Sequence, residues 1–121
     1  MTEKAKELGC TNTNFVNANG MHDENHYTTA EDLCLIANYC AQNETFMEII
    51  ETKEYTLPST EQYPENDRVL TNTNRLINSN SDYYSEYALG GKTGFTTQAR
   101  ILFSLFCRKR WNKFNLRCFK R

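Results

Sequence analysis

Gly90-Gly91-Lys92-Thr93-Gly94-Phe95-Thr96 is the stretch on which the reading of this chain turns. The pair Gly90-Gly91 predicts a turn. Lys92 to Thr96 predicts a strand leaving that turn. On an edge-facing strand these residues have a mechanical logic. Lys92 puts a cation into a cleft, and the Thr93 hydroxyl can hold a carboxylate. Gly94 has no side chain, so a ligand can approach its backbone closely. The following N–H, on Phe95, can donate to a developing oxyanion. Lys92, Thr93, Gly94 and Phe95 are therefore the candidate ligand-binding residues. Alone the triplet is a weak signal, since chance supplies it in roughly one chain in forty of this length. What surrounds it has to decide.

Upstream, Thr28-Thr29-Ala30-Glu31 forms a capping box, with Thr28 as the cap and Glu31 reaching back. Behind it Ala30, Leu33, Cys34, Ala37, Cys40 and Ala41 recur at three and four, predicting an amphipathic helix over 29–42. Asn43 opens a shorter helix ending near Ile50, with Phe46, Met47, Ile49 and Ile50 expected in the core. Lys53 to Leu57 and Arg68 to Thr73 predict short strands, and Asn74 to Asp82 a polar loop. At the start of the chain, Ala5 and Leu8 share a helical face that Gly9 ends from the C′ position. Residues 10–27 predict an asparagine-rich loop, with Phe15, Val16 and Met21 pinning it to the core.

The length, 121 residues, suits one small domain. A net charge of -1 hides a split. Residues 1–99 hold all 15 acidic residues and six basic ones, whereas 100–121 hold eight basic residues and no acidic one. The two segments are therefore read separately. The longest apolar run, Ile101 to Phe106, is interrupted by Ser104. It is far short of the ~20 residues a membrane-spanning helix needs. The charged stretch Met1 to Glu7 is not a secretory signal peptide. Cys10, Cys34, Cys40, Cys107 and Cys118 have no Cys-x-x-Cys or Cys/His ligand spacing and read as buried or incidental thiols. His22 and His26 lie four apart, but Asp23 stands where a metalloprotease helix needs glutamate. Gly20 and Asn25 also oppose a helix there, so these read as loop histidines.

Four blocks, in order and with their spacing, carry a family resemblance. They are Met1-Thr2-Glu3-Lys4-Ala5-Lys6-Glu7-Leu8-Gly9-Cys10-Thr11-Asn12-Thr13-Asn14-Phe15-Val16-Asn17, Gly20-Met21-His22-Asp23, His26-Tyr27-Thr28-Thr29-Ala30-Glu31-Asp32-Leu33 and Gly90-Gly91-Lys92-Thr93-Gly94-Phe95-Thr96. Together they resemble the serine-type D-alanyl-D-alanine carboxypeptidases, the low-molecular-mass penicillin-binding proteins of bacteria. The resemblance covers about residues 1–99, and Lys-Thr-Gly is one of three motifs of those enzymes. It implies an α+β chain, an incomplete β-lactamase/transpeptidase-like fold with part of the helical subdomain and the Lys-Thr-Gly strand. It also implies a chemistry, in which a serine attacks the terminal D-alanyl peptide bond and water releases the acyl-enzyme. In that scheme Lys92 and Thr93 bind the substrate carboxylate, and the Phe95 N–H supplies half of an oxyanion hole. The implied partners are peptidoglycan stem peptides and β-lactams. No metal, cofactor, nucleic acid or transmembrane segment is called for.

The departures matter as much. The family needs Ser-x-x-Lys for nucleophile and base, and Ser-x-Asn on a loop. Ser59, Ser79, Ser81, Ser85 and Ser104 all lack a lysine three residues later and an asparagine two residues later. The expectation is a fragment without a nucleophile, inactive alone. Residues 1–99 then read as a partial transpeptidase-like domain. Residues 100–121 read as a basic, non-matching tail of out-of-frame or foreign origin. The alternative reading is a small binding protein that contacts nucleic acid or an anionic membrane through the interleaved basic and aromatic residues of 100–121. Relatives work in the cell envelope, whereas a chain without an export signal is expected in the cytoplasm.

Overall fold

The structure, a computed structural model, describes residues 1–64, 68–98, 100–108 and 114–120, with backbone alone at 100–102, 108 and 114–120. Three helices come first, α1 (Thr2–Glu7), α2 (Ala30–Cys40) and α3 (Glu44–Glu51). Strands β1 (Glu54–Thr56) and β2 (Val69–Thr71) pair as a small antiparallel ribbon. The strands β3 (Ala88–Thr96), β4 (Arg100–Arg108) and β5 (Phe114–Lys120) then form an antiparallel sheet in that order. In its register Lys92 lies opposite Ser104, Thr93 opposite Phe103 and Gly94 opposite Leu102. β3 is an edge strand, with no second strand neighbour among the described residues.

Helix ends follow local chemistry. α1 stops at Gly9, whose φ of 92° suits a residue without a Cβ. The Gly9 N–H donates to the Lys6 carbonyl and the Cys10 N–H to the Ala5 carbonyl, the paired bonds of a Schellman motif. Asn43 caps α3 as expected, its side chain accepting from the Phe46 N–H. The cap of α2 is one residue later than expected. Thr29, not Thr28, accepts from the Asp32 N–H at 3.1 Å. The Thr28 hydroxyl is engaged elsewhere, 2.8 Å from that of Thr13.

The loop before α2 is held by polar bonds rather than apolar pins. Val16 and Met21 are exposed. The buried Asp32 carboxylate instead accepts from the Asn12 N–H at 2.7 Å, the Thr11 N–H at 3.3 Å and the Thr13 hydroxyl at 2.7 Å. Those bonds, the Thr13 hydroxyl first, hold its pKa below the ordinary carboxylate value despite the opposing effect of desolvation.

The apolar core is small. Ala37 of α2, Ile50 of α3 and Phe106 of β4 are buried together, with Ala41, Phe46, Met47 and Leu89 packed around them. The Phe46 and Phe106 rings meet edge-on, 5.8 Å between centroids. Ile49 departs from the expected core set and is exposed, because Ile50 takes the inward position on this short helix. α3 packs on β3 and α2 against β5. Among the described residues, no helix is long and apolar enough to cross a membrane.

Candidate functional site

The expected glycine turn is part of the strand. Gly90 and Gly91 lie inside β3, just after a register irregularity between Ala88 and Gly90. Close packing explains both. A Cβ on Gly90 would stand 2.6 Å from the Ile50 carbonyl oxygen, and one on Gly91 would stand 2.5 Å from that of Ser104. The two glycines thus let α3 and β4 press against β3. Gly94 is different. A Cβ there would meet nothing within 4 Å, and its φ lies outside the left-handed range. Neither packing nor backbone conformation demands glycine at that position.

Strand alternation puts Gly91, Thr93 and Phe95 on one face, with Lys92 and Gly94 on the other. The Lys92 side chain is exposed, and its ammonium donates to the carbonyl oxygen of Thr93. The cation therefore lies along the strand rather than away from it. Thr93 is half-buried, and Phe95 is exposed. The structure thus brings a cation, a hydroxyl, a bare backbone and an N–H together on consecutive residues of one edge strand. Along the open edge of β3, which both faces border, that combination can accept an anionic group against backbone, with charge-assisted hydrogen bonds from Lys92 on one side and the Thr93 hydroxyl on the other.

The sequence reading missed a neighbour of this strand. The Thr73 hydroxyl lies 2.9 Å from the Thr93 hydroxyl. Thr73 sits between two anchored asparagines. Asn72 donates through Nδ2 to the Thr52 carbonyl at 2.9 Å and accepts from the Asn74 N–H through Oδ1, also at 2.9 Å. Asn74 is 2% exposed and accepts from the Leu76 N–H at 3.1 Å. The available signal was Asn72-Thr73-Asn74 itself, two amide side chains able to bond nearby backbone around a hydroxyl.

Other singled-out residues serve the scaffold. His26 accepts the Val16 N–H through Nδ1 at 3.2 Å, and its ring meets Phe15 edge-on. Cys10 is buried and donates to the Asp32 carbonyl, and burial pushes its thiol pKa up. Burial does the same at Cys40. A raised thiol pKa disfavours the reactive thiolate. Among the described residues, no three His, Cys, Asp or Glu side chains are grouped to hold a metal ion. Of the 100–121 tail of the binding-protein reading, 109–113 and 121 lie outside the described residues, only backbone is described at 100–102, 108 and 114–120, and 103–107 lie in β4, where Leu105 and Phe106 are buried.

The D-alanyl-D-alanine carboxypeptidase family matches residues 1–111 of the sequence. The chain belongs to that family. The match runs past the change of charge at Arg100. D-alanyl-D-alanine carboxypeptidase DacF of Bacillus subtilis (strain 168) is 34% identical over 109 residues, which are 90% of this chain and 26% of the Bacillus protein. The D-alanyl-D-alanine carboxypeptidase of Streptomyces sp. (strain K15) is 32% identical over 102 residues, which are 83% of this chain and 33% of that protein. The crystal structure of the Streptomyces K15 DD-transpeptidase is similar with a TM-score of 0.77 at 29% identity, over 90% of this chain and 40% of that one. An alanine mutant of the same enzyme gives a TM-score of 0.82 at 28% identity, over 98% of this chain and 44% of that one. The chain thus has the α+β fold of the family in part, and spans about a quarter to a third of the curated relatives' length.

Proposed function

We propose that this chain carries the carboxylate-binding strand of a D-alanyl-D-alanine carboxypeptidase site and, within these 121 residues, neither the nucleophilic serine nor its lysine base. The observation that supports this most is Gly94, a glycine that neither packing nor φ requires, between Thr93 and Phe95 on an edge strand. A bare backbone there lets an extended peptide end lie close against β3. Lys92 then neutralises the terminal carboxylate, and Thr93 adds a hydroxyl hydrogen bond. The Phe95 N–H faces the developing negative charge on the attacked carbonyl oxygen.

The ligand class is a peptidoglycan stem peptide ending in D-alanine, and a β-lactam carboxylate offers the same anionic group. Such ligands lie outside the cytoplasmic membrane, so this reading puts the work of the strand at the cell envelope. No serine here has a lysine three residues later, so no activated nucleophile is available to form an acyl-enzyme. Loss of the nucleophile is close to fatal for turnover.

Incubation of the purified chain with a fluorescent penicillin, followed by denaturing electrophoresis, tests the missing nucleophile. The expected result is no covalently labelled band and, with an acyl-D-alanyl-D-alanine peptide in place of the penicillin, no release of D-alanine above buffer. A labelled band would overturn the reading.

A further inference from the structure

Thr93 can serve an anion only if its hydroxyl proton points at that anion. A hydroxyl has one proton to give and two lone pairs that accept. Thr93 already shares a 2.9 Å hydrogen bond with Thr73, and geometry alone allows either oxygen to be the donor. If Thr93 donated to Thr73, it would turn lone pairs toward a carboxylate and repel it. We infer that Thr73 is a positioning residue for this site, giving its own proton to Thr93 Oγ1 so that the Thr93 proton is left for a ligand carboxylate. The inference rests on the reading of Lys92 and Thr93 as carboxylate binders.

Neighbours on both sides hold Thr73 in place. It comes from a segment 20 residues upstream of Thr93. Asn72 is tied to the Thr52 carbonyl next to α3. Asn74 is buried behind β3, and a Cβ on Gly91 would come 3.4 Å from its Nδ2. Between these anchors Thr73 has little freedom to leave Thr93, while its own side chain stays exposed. A chain of two hydroxyls ending on a charged acceptor polarises in one direction, and each bond strengthens the next. Thr73 therefore acts on the preference for a free carboxylate over an uncharged end, through Thr93 rather than by contact with the reacting bond.

The test compares binding of an acyl-D-alanyl-D-alanine peptide with binding of its C-terminal amide, by titration of the intact chain. The readout is the ratio of the two affinities, which a merely structural residue would not move. Wild type should prefer the free acid. Thr73→Val keeps the shape and removes the hydroxyl, and should lower the ratio about fivefold, the value of one ordinary hydrogen bond. Thr73→Ser should restore it. Thr93→Val should lower the ratio at least as far, leaving the share that the Lys92 cation supplies. If Thr93→Val lowers the ratio while Thr73→Val leaves it unchanged, the positioning role is wrong and the carboxylate reading stands. A wild-type chain without acid preference, or a Thr93→Val variant with the wild-type ratio, overturns the reading of Thr93 as a carboxylate binder and the inference with it.

Discussion

The Gly90 backbone lies so close to Ile50 that a Cβ added there would stand 2.6 Å from the Ile50 carbonyl oxygen. Real Cβ atoms essentially never come that near. Gly90→Ala should therefore push α3 off β3 and lower stability by about 1–3 kcal/mol, the usual cost of overpacking. Gly91→Ala should behave alike, because its Cβ would meet the Ser104 carbonyl. Gly94→Ala should leave the urea midpoint unchanged or raise it slightly, since glycine in a strand costs conformational entropy and nothing opposes a methyl there. The same variant should bind a D-alanyl peptide less well. Urea unfolding of the three variants separates glycines kept for packing from the one kept for a ligand.

Asp32 gives the chain an acid-sensitive joint. Its folded pKa is lowered, chiefly by the Thr13 hydroxyl bond and then by the Asn12 and Thr11 N–H groups. A lowered carboxyl pKa contributes stability above the unfolded value of about 3.9 and loses it as pH falls through the folded value. Asp32→Asn should lower stability at neutral pH and flatten the part of the stability profile below that unfolded value. Thermal midpoints of both proteins from neutral to acid pH check it. Parallel profiles would contradict the role given to this carboxylate.

The cap of α2 separates two neighbouring threonines. Thr29→Ala removes the side chain that accepts from the Asp32 N–H and should cost about 1 kcal/mol. Glu31→Ala touches no cap and should stay within about 0.5 kcal/mol. Denaturant midpoints distinguish them. A larger loss at Glu31 would restore the capping box that starts one residue earlier.

Much of this architecture can be read locally. Gly9, Asn43 and the three-four spacing of Leu33, Ala37 and Cys40 describe helix ends and faces through bonds made within a few residues. The Lys92 to Thr96 strand is legible in the same way. Failures came where distant contacts decide. Gly90-Gly91 looks like a turn locally, whereas the Ile50 and Ser104 backbones are what exclude side chains there. Thr28 looks like a cap until Thr13 claims its hydroxyl from 15 positions away. Val16 and Met21 look like apolar pins, but the loop is fastened by a carboxylate on the helix that follows. Thr73 carries no mark of its own, because its value comes from meeting Thr93 across 20 residues of chain. Strand β4 is similar, since charge separates Arg100 from what precedes it while pairing joins it to Thr96.

Backbone amide shifts measured by NMR during titration with an acyl-D-alanyl-D-alanine peptide test the central claim most directly. The account predicts saturable shifts centred on Lys92, Thr93, Gly94 and Phe95, reversed on dilution and much weaker with the C-terminal amide. Saturable shifts that leave those four residues still, or that are equal for the acid and the amide, would contradict it.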